Sequence, residues 1–188
     1  MLRFFTILTI ALFFTACNPS SSIVISNPAK KILSQDTILR LPIPFRANGY
    51  SNLTTKLYTT KSDFNTFIDK IKTEHSWNKE EKRNFIGSLK INPIDFTKYN
   101  LLIYTMKESS GSTKLTIDPP KGDNAHVEIV INRETKEVGT ADMAYYALAY
   151  KVKKSVIDIT FNNGLKKDII LNSKDKLSFD KIMVAQIN

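Results

Sequence analysis

The side chains able to do chemistry are few in this 188-residue chain, which has two histidines and one cysteine. Ser109, Ser110 and Ser112 could supply a nucleophile, because a base such as His75 or His126 can approach from a distant part of the sequence. The run Ser-Ser-Gly-Ser is also typical of a turn between strands, since its residues are small and polar. We favour the turn and predict that the protein is not an enzyme.

Phosphate and metal sites are also disfavoured by the spacing of residues. Gly111 and Gly122 lie too far apart to form a glycine-rich loop around a phosphate. Neither His75 nor His126 has a second ligand at the spacing that places two ligands on one face. One cysteine excludes an internal disulfide framework. We therefore expect no cofactor and no metal.

Residues 1–16 have the pattern of a signal peptide. Arg3 precedes an apolar run from Phe4 to Phe14, and Ala16 lies just before Cys17. A membrane-spanning helix needs about 20 apolar residues, whereas this run is shorter and ends in small residues, as a cleavage site does. We expect cleavage before Cys17.

The segment Phe14-Thr15-Ala16-Cys17 resembles the bacterial lipobox, with Phe14 where the motif prefers Leu. The resemblance implies a diacylglycerol thioether on the Cys17 sulfur and acylation of the freed amine. Two or three acyl chains anchor a protein stably to a bilayer. Asn18 resembles the sorting context for the outer membrane of the cell envelope. The alternative is an ordinary buried thiol beside a secretory cleavage site.

The rest of the chain divides into a tether and one folded unit. Residues 17–36 are rich in Pro, Ser and Asn and indicate a flexible tether. Residues 37–188 have the length expected of a single domain. The whole chain is 42% hydrophobic and 24% charged, which argues against general disorder.

Two helices are predicted in the first half of the domain, after a short extended segment at residues 56–59. Ser62 is a candidate N-cap before a buried stripe of Phe64, Phe67, Ile68 and Ile71. A second helix is predicted to begin at Asn78 with a capping box to Glu81, and to end at Pro93.

Strands dominate the second half. The pattern predicts strands at residues 100–107, 112–118, 126–132, 140–152, 156–161, 165–171 and 179–187. Residues 143–149 would also fit a buried helix. Asn162-Asn163-Gly164 predicts a hairpin turn. These elements indicate an α+β fold, with the two helices packed on an antiparallel sheet of about five to seven strands, and residues 37–45 as an edge strand because of Pro42 and Pro44.

Residues 93–117 resemble the core of the PrcB C-terminal-domain family. The resemblance is carried by Ile94-Asp95-Phe96-Thr97-Lys98, the apolar strand Leu101 to Tyr104, Ser110-Gly111, and Leu115-Thr116-Ile117. The chain departs from the family at Ser112, in place of a second glycine, and at Ala144. The resemblance implies a non-catalytic subunit that associates with a protease complex at the bacterial surface, and hence a protein partner.

The formal charge of +9 supports a second hypothesis. A basic, tyrosine-rich surface could bind a glycan or another polyanion. Its candidate residues are Tyr145, Tyr146, Tyr150, Lys151, Lys153 and Lys154. Lysines that guard the solvent-exposed faces and edges of strands are the simpler interpretation. We expect no nucleic acid partner, because the export signal removes the chain from the cytoplasm.

Overall fold

The computed structural model describes residues 31–136 and 138–172, together with the short strand Val184–Ala185. The helices are α1 (Lys61–Thr73) and α2 (Lys79–Ile91), and a 3₁₀ turn spans Asn48–Asn52. The strands are β1 (Lys31–Ile32), β2 (Ile38–Leu41), β3 (Lys56–Tyr58), β4 (Tyr99–Glu108), β5 (Lys114–Ile117), β6 (Lys121–Gly122), β7 (His126–Glu134), β8 (Ala144–Lys153), β9 (Asp158–Asn162), β10 (Lys167–Leu171) and β11 (Val184–Ala185).

Both predicted helices form, and one begins slightly earlier than expected. The N-cap of α1 is Thr60, not Ser62, and its hydroxyl accepts the backbone N–H of Asp63 at 3.1 Å. The capping box of α2 is confirmed, because the Asn78 side chain accepts the backbone N–H of Glu81 while the Glu81 carboxylate accepts that of Asn78. These bonds satisfy amides that would otherwise lack partners in the first turn.

A four-stranded antiparallel sheet, the middle sheet, lies at the centre of the domain with strand order β2-β8-β4-β3. β4 and β8 pair along ten residues, from Tyr99 opposite Lys153 to Glu108 opposite Ala144. Both faces of the middle sheet are covered. This explains why successive residues of β4 and β8 are apolar, instead of apolar residues alternating with polar ones. The segment at residues 143–149, which also fitted a helix, is therefore part of strand β8 from Ala144 onward.

The other strands form a seven-stranded outer sheet with the order β1-β6-β7-β9-β10-β11, in which β5 also pairs with β7. β7 and β9 are parallel, because the chain leaves this sheet after β7, forms β8 in the middle sheet, and returns. The predicted β9–β10 hairpin is confirmed, and Gly164 in its turn has a φ of +76°.

The domain has three layers: the helices, the middle sheet and the outer sheet. Side chains of α1, α2 and one face of the middle sheet form the first core, with Phe85 fully buried among Tyr50, Phe67 and Trp77. The opposite face packs on the outer sheet in a second core, where the rings of Tyr104 and Phe161 stack at 3.7 Å.

The α+β class is confirmed, with two differences in detail. The strands form two packed sheets, because β4 and β8 need apolar cover on both faces. The folded domain also begins before residue 37, since β1 pairs with β6 inside the segment predicted as tether. Asp36, in the same segment, bonds to Tyr99 and Lys153.

Candidate functional site

The predicted lipid attachment site, Cys17, lies outside the described residues, so its modification stays a prediction. Within the described part of the chain, no helix is long and apolar enough to cross a membrane.

The tyrosines predicted to form a ligand surface lie mostly in the core. Tyr150 is 0% exposed between the two sheets, and burial raises its pKa to about 12. Tyr146 is also buried, and its hydroxyl donates to the carbonyl of Thr113. Only Tyr145 is half-exposed. The prediction was wrong for Tyr146 and Tyr150, because β8 is a central strand with both faces covered.

The lysines of that predicted surface lie at the other end of β8, in a local cluster with an acid. The Lys153 ammonium contacts the Asp36 carboxylate at 2.7 Å, and the Tyr99 hydroxyl donates to the same carboxylate at 2.7 Å. These bonds lower the pKa of Asp36 and raise that of Lys153. Lys151 lies over the Tyr99 ring at 4.8 Å.

Lys154 follows directly after β8, and its backbone N–H donates to the Lys98 carbonyl. Tyr145 and Lys153 are eight positions apart on one strand, which is about 27 Å. The predicted tyrosines and lysines therefore do not form one surface.

The serine loop lies apart from His126. The hydroxyls of Ser110 and Ser112 bond to each other at 2.8 Å, and Ser110 also contacts Thr140. Arg46 and Asp142 hold Gly111 between them, through its carbonyl and its N–H respectively. The loop thus matches the predicted turn between strands.

His126 is the first residue of β7, whereas β5, which follows the serine loop, pairs with the last residues of β7. His126 and Glu134, which pairs with Lys114 of β5, are therefore about 27 Å apart along β7. His126 instead bonds to Asp158 at 2.7 Å, and this bond raises the histidine pKa. Within the described ranges, no three His, Cys, Asp or Glu side chains are placed to hold a metal ion.

The most distinctive feature of the described surface is an unpaired strand edge in the middle sheet. β3 pairs with only Leu101, Leu102 and Ile103 of β4. Beyond Ile103, no described strand pairs with this side of β4, although β8 continues along its other side to Glu108. The side chain of Thr55, just before β3, accepts the Thr105 N–H at 3.0 Å. We call the segment Thr105–Glu108 the open edge.

A groove of about 490 Å³ follows the open edge. On the helix side it is lined by Tyr50, Ser51, Leu53 and Tyr145, and on the side of the outer sheet by Asn163, Leu165 and Lys166 of the β9–β10 turn. Leu165 is 66% exposed. Apolar side chains beside unpaired backbone groups are the features that bind an extended peptide.

The charges around the groove leave one unpaired lysine. Glu108 is buried in an ion pair with Arg133 of β7. Lys166 contacts the buried Asp168 carboxylate at 3.0 Å. Lys107 is exposed and has no ion-pair partner among the described residues. The groove therefore presents a net positive charge at the centre of the open edge.

Sequence reasoning found Tyr145 and missed the rest of this groove. The one available sign was length, because the extended segment predicted at residues 56–59 is much shorter than the strand predicted at residues 100–107. Length alone does not show that the two strands are neighbours, and so the open edge could be found only from the folded chain.

Comparison with known proteins gives no relative from which a role could be transferred. No protein-family model, curated protein or solved structure matches this chain. The lipobox and PrcB resemblances accordingly stay predictions, and the groove is a candidate site on its geometry alone.

Proposed function

We propose that this protein is a non-catalytic lipoprotein of the bacterial envelope whose α+β domain binds another envelope protein. The anchor is the lipidated Cys17, and the outer membrane is the proposed location. The observation that carries the binding role is the groove along the open edge, because a sheet edge left unpaired beside exposed apolar side chains is a common peptide-docking surface.

The anchor and the domain have complementary tasks in this proposal. Acyl chains on Cys17 would keep the domain at the membrane, where a partner in the same compartment is met at high effective concentration. The groove then supplies the specific contact. The PrcB resemblance of residues 93–117 supports a partner that is itself a protein complex at the envelope.

The anchor is tested by metabolic labelling with a palmitate analogue in a bacterial host. The expected result is labelled protein in the membrane fraction, with label lost in Cys17→Ser. The matched control is Ser20→Cys in the Cys17→Ser background, which restores a thiol but not the motif. Unlabelled wild-type protein that still carries residues 1–16 would refute the anchor.

The binding role is tested by cross-linking in intact cells of the native organism, with the tagged chain expressed at its endogenous level. A discrete covalent adduct with a second envelope protein is expected for the wild-type chain. Recovery of the chain alone under conditions that capture a known envelope complex would refute the role.

A further inference from the structure

The open edge can accept a strand from another molecule. In an antiparallel pair, the N–H and C=O of one residue point to the same side, and successive residues alternate sides. The Thr105 N–H points away from β8, since it donates to Thr55. The N–H and C=O of Lys107 therefore point the same way, into the groove.

The two sides of the groove decide which side chains such a strand would carry. On the helix side, an added strand would meet Leu53 and Lys107; on the side of the outer sheet it would meet Met106, Leu165 and Lys166. Each side thus offers an apolar contact and a lysine. Because Lys166 is already paired with Asp168, the surplus charge is that of Lys107.

We propose that an extended segment of the partner, with apolar side chains flanking an Asp or Glu, binds in this groove as an additional strand on β4, with its carboxylate beside Lys107. This inference rests on the proposed protein-binding function and names the partner's binding element. The open edge of four residues is about 13 Å long, enough for the central part of a short peptide.

A second copy of this chain is a poorer occupant. Antiparallel pairing of two open edges would place the Lys107 side chains of the two copies close together, and like charges across a strand pair are destabilising. An acidic segment replaces that repulsion with attraction.

The probe is a synthetic peptide, fluorescein-Thr-Val-Glu-Val-Glu-Val-Thr-amide, whose binding to the purified chain is followed by fluorescence anisotropy; its acetyl-capped form is used for amide hydrogen exchange. We expect saturable binding and at least tenfold slower exchange of the Lys107 amide. A peptide methylated on alternate backbone nitrogens has the same side chains but lacks the donors of one strand edge, and it should not bind.

Two variants test the edge and its charge separately. Lys107→Glu should weaken binding about tenfold, because attraction becomes repulsion, whereas Lys61→Glu on exposed α1 makes the same charge change and should leave binding unchanged. Lys107→Pro removes the N–H without breaking a described ladder bond, and should abolish binding. Circular dichroism establishes that each variant is folded.

Several results would overturn the inference. The first three are no binding at millimolar peptide, equal binding of the methylated peptide, and binding that is insensitive to Lys107→Glu and Lys107→Pro. The fourth is binding that appears only after residues 186–188 are deleted, because the chain's own tail would then be the occupant of the groove. A dimer of the free chain that Lys107→Pro dissociates would identify a second copy instead.

The inference and the proposed function can fail independently. If the chain forms its cellular cross-link equally well with Lys107→Glu and Lys107→Pro, the protein-binding function stands and the groove is not its site. If the peptide binds as described but no envelope protein is cross-linked, the groove can accept a strand and the proposed cellular function is refuted.

Discussion

The ion pair between Glu108 and Arg133 joins the two sheets beside the groove, and its replacement gives a quantitative test of the fold. The side chains are 6% and 18% exposed, respectively. Removing one partner of a buried pair leaves an uncompensated charge, which costs about 3 kcal/mol of unfolding free energy. We therefore expect Glu108→Leu and Arg133→Met each to destabilise the domain by about that amount.

The double variant distinguishes a desolvated pair from two independent residues. With both charges gone, neither desolvation cost remains, and apolar side chains fill much of the space. We expect Glu108→Leu/Arg133→Met to be destabilised by only about 1 kcal/mol, far less than the sum of the single effects.

Urea unfolding followed by circular dichroism measures these differences. With an m value of about 2 kcal/mol/M, a loss of 3 kcal/mol lowers the midpoint by about 1.5 M. The control is Lys114→Met, because its pair with Glu134 is 71% and 76% exposed, and we expect a cost below about 0.5 kcal/mol. A double variant as unstable as the two singles combined would refute the coupling.

Three further predictions concern local features. The pKa of His126 is raised by Asp158, so the stabilisation by this pair should be full below the unfolded-state pKa of histidine and lost as the pH rises through the folded-state pKa. The Tm difference between wild type and His126→Gln should therefore be larger at pH 5.5 than at pH 8.5. An equal difference at the two pH values would contradict the bond. Gly87 lies within α2, and a Cβ there meets nothing within 4 Å, so Gly87→Ala should stabilise by about 0.8 kcal/mol in urea unfolding; a loss of stability would contradict the open space. Gly164 has φ +76°, so Gly164→Ala should cost about 1 kcal/mol, and a neutral result would contradict the left-handed turn.

Local elements of this fold were readable from the sequence because their determinants are local. Asn78 and Glu81 cap α2 through bonds three residues apart, and Gly164 permits the turn between β9 and β10. The apolar pattern of residues 100–107 also predicted the strand that forms β4. In each case the residues that decide the structure are neighbours along the chain.

Long-range features were not readable in this way. Nothing in the composition of β7 or β9 specifies that these two strands pair in parallel. The chain also forms β8, a strand of the other sheet, between them. Tyr146 and Tyr150 have the residue type of a binding surface, and only the placement of β8 between two layers shows that they are core residues. The groove depends on where β3 stops relative to β4, which is a property of the folded pair.

The excursion of the chain between β7 and β9 makes the two sheets mutually dependent. Neither sheet is built from one continuous stretch of sequence, since β8 of the middle sheet lies between β7 and β9 of the outer sheet along the chain. The domain should therefore unfold in one cooperative transition, with no intermediate in which a single sheet survives, and refold slowly for its size because its pairings are distant in sequence.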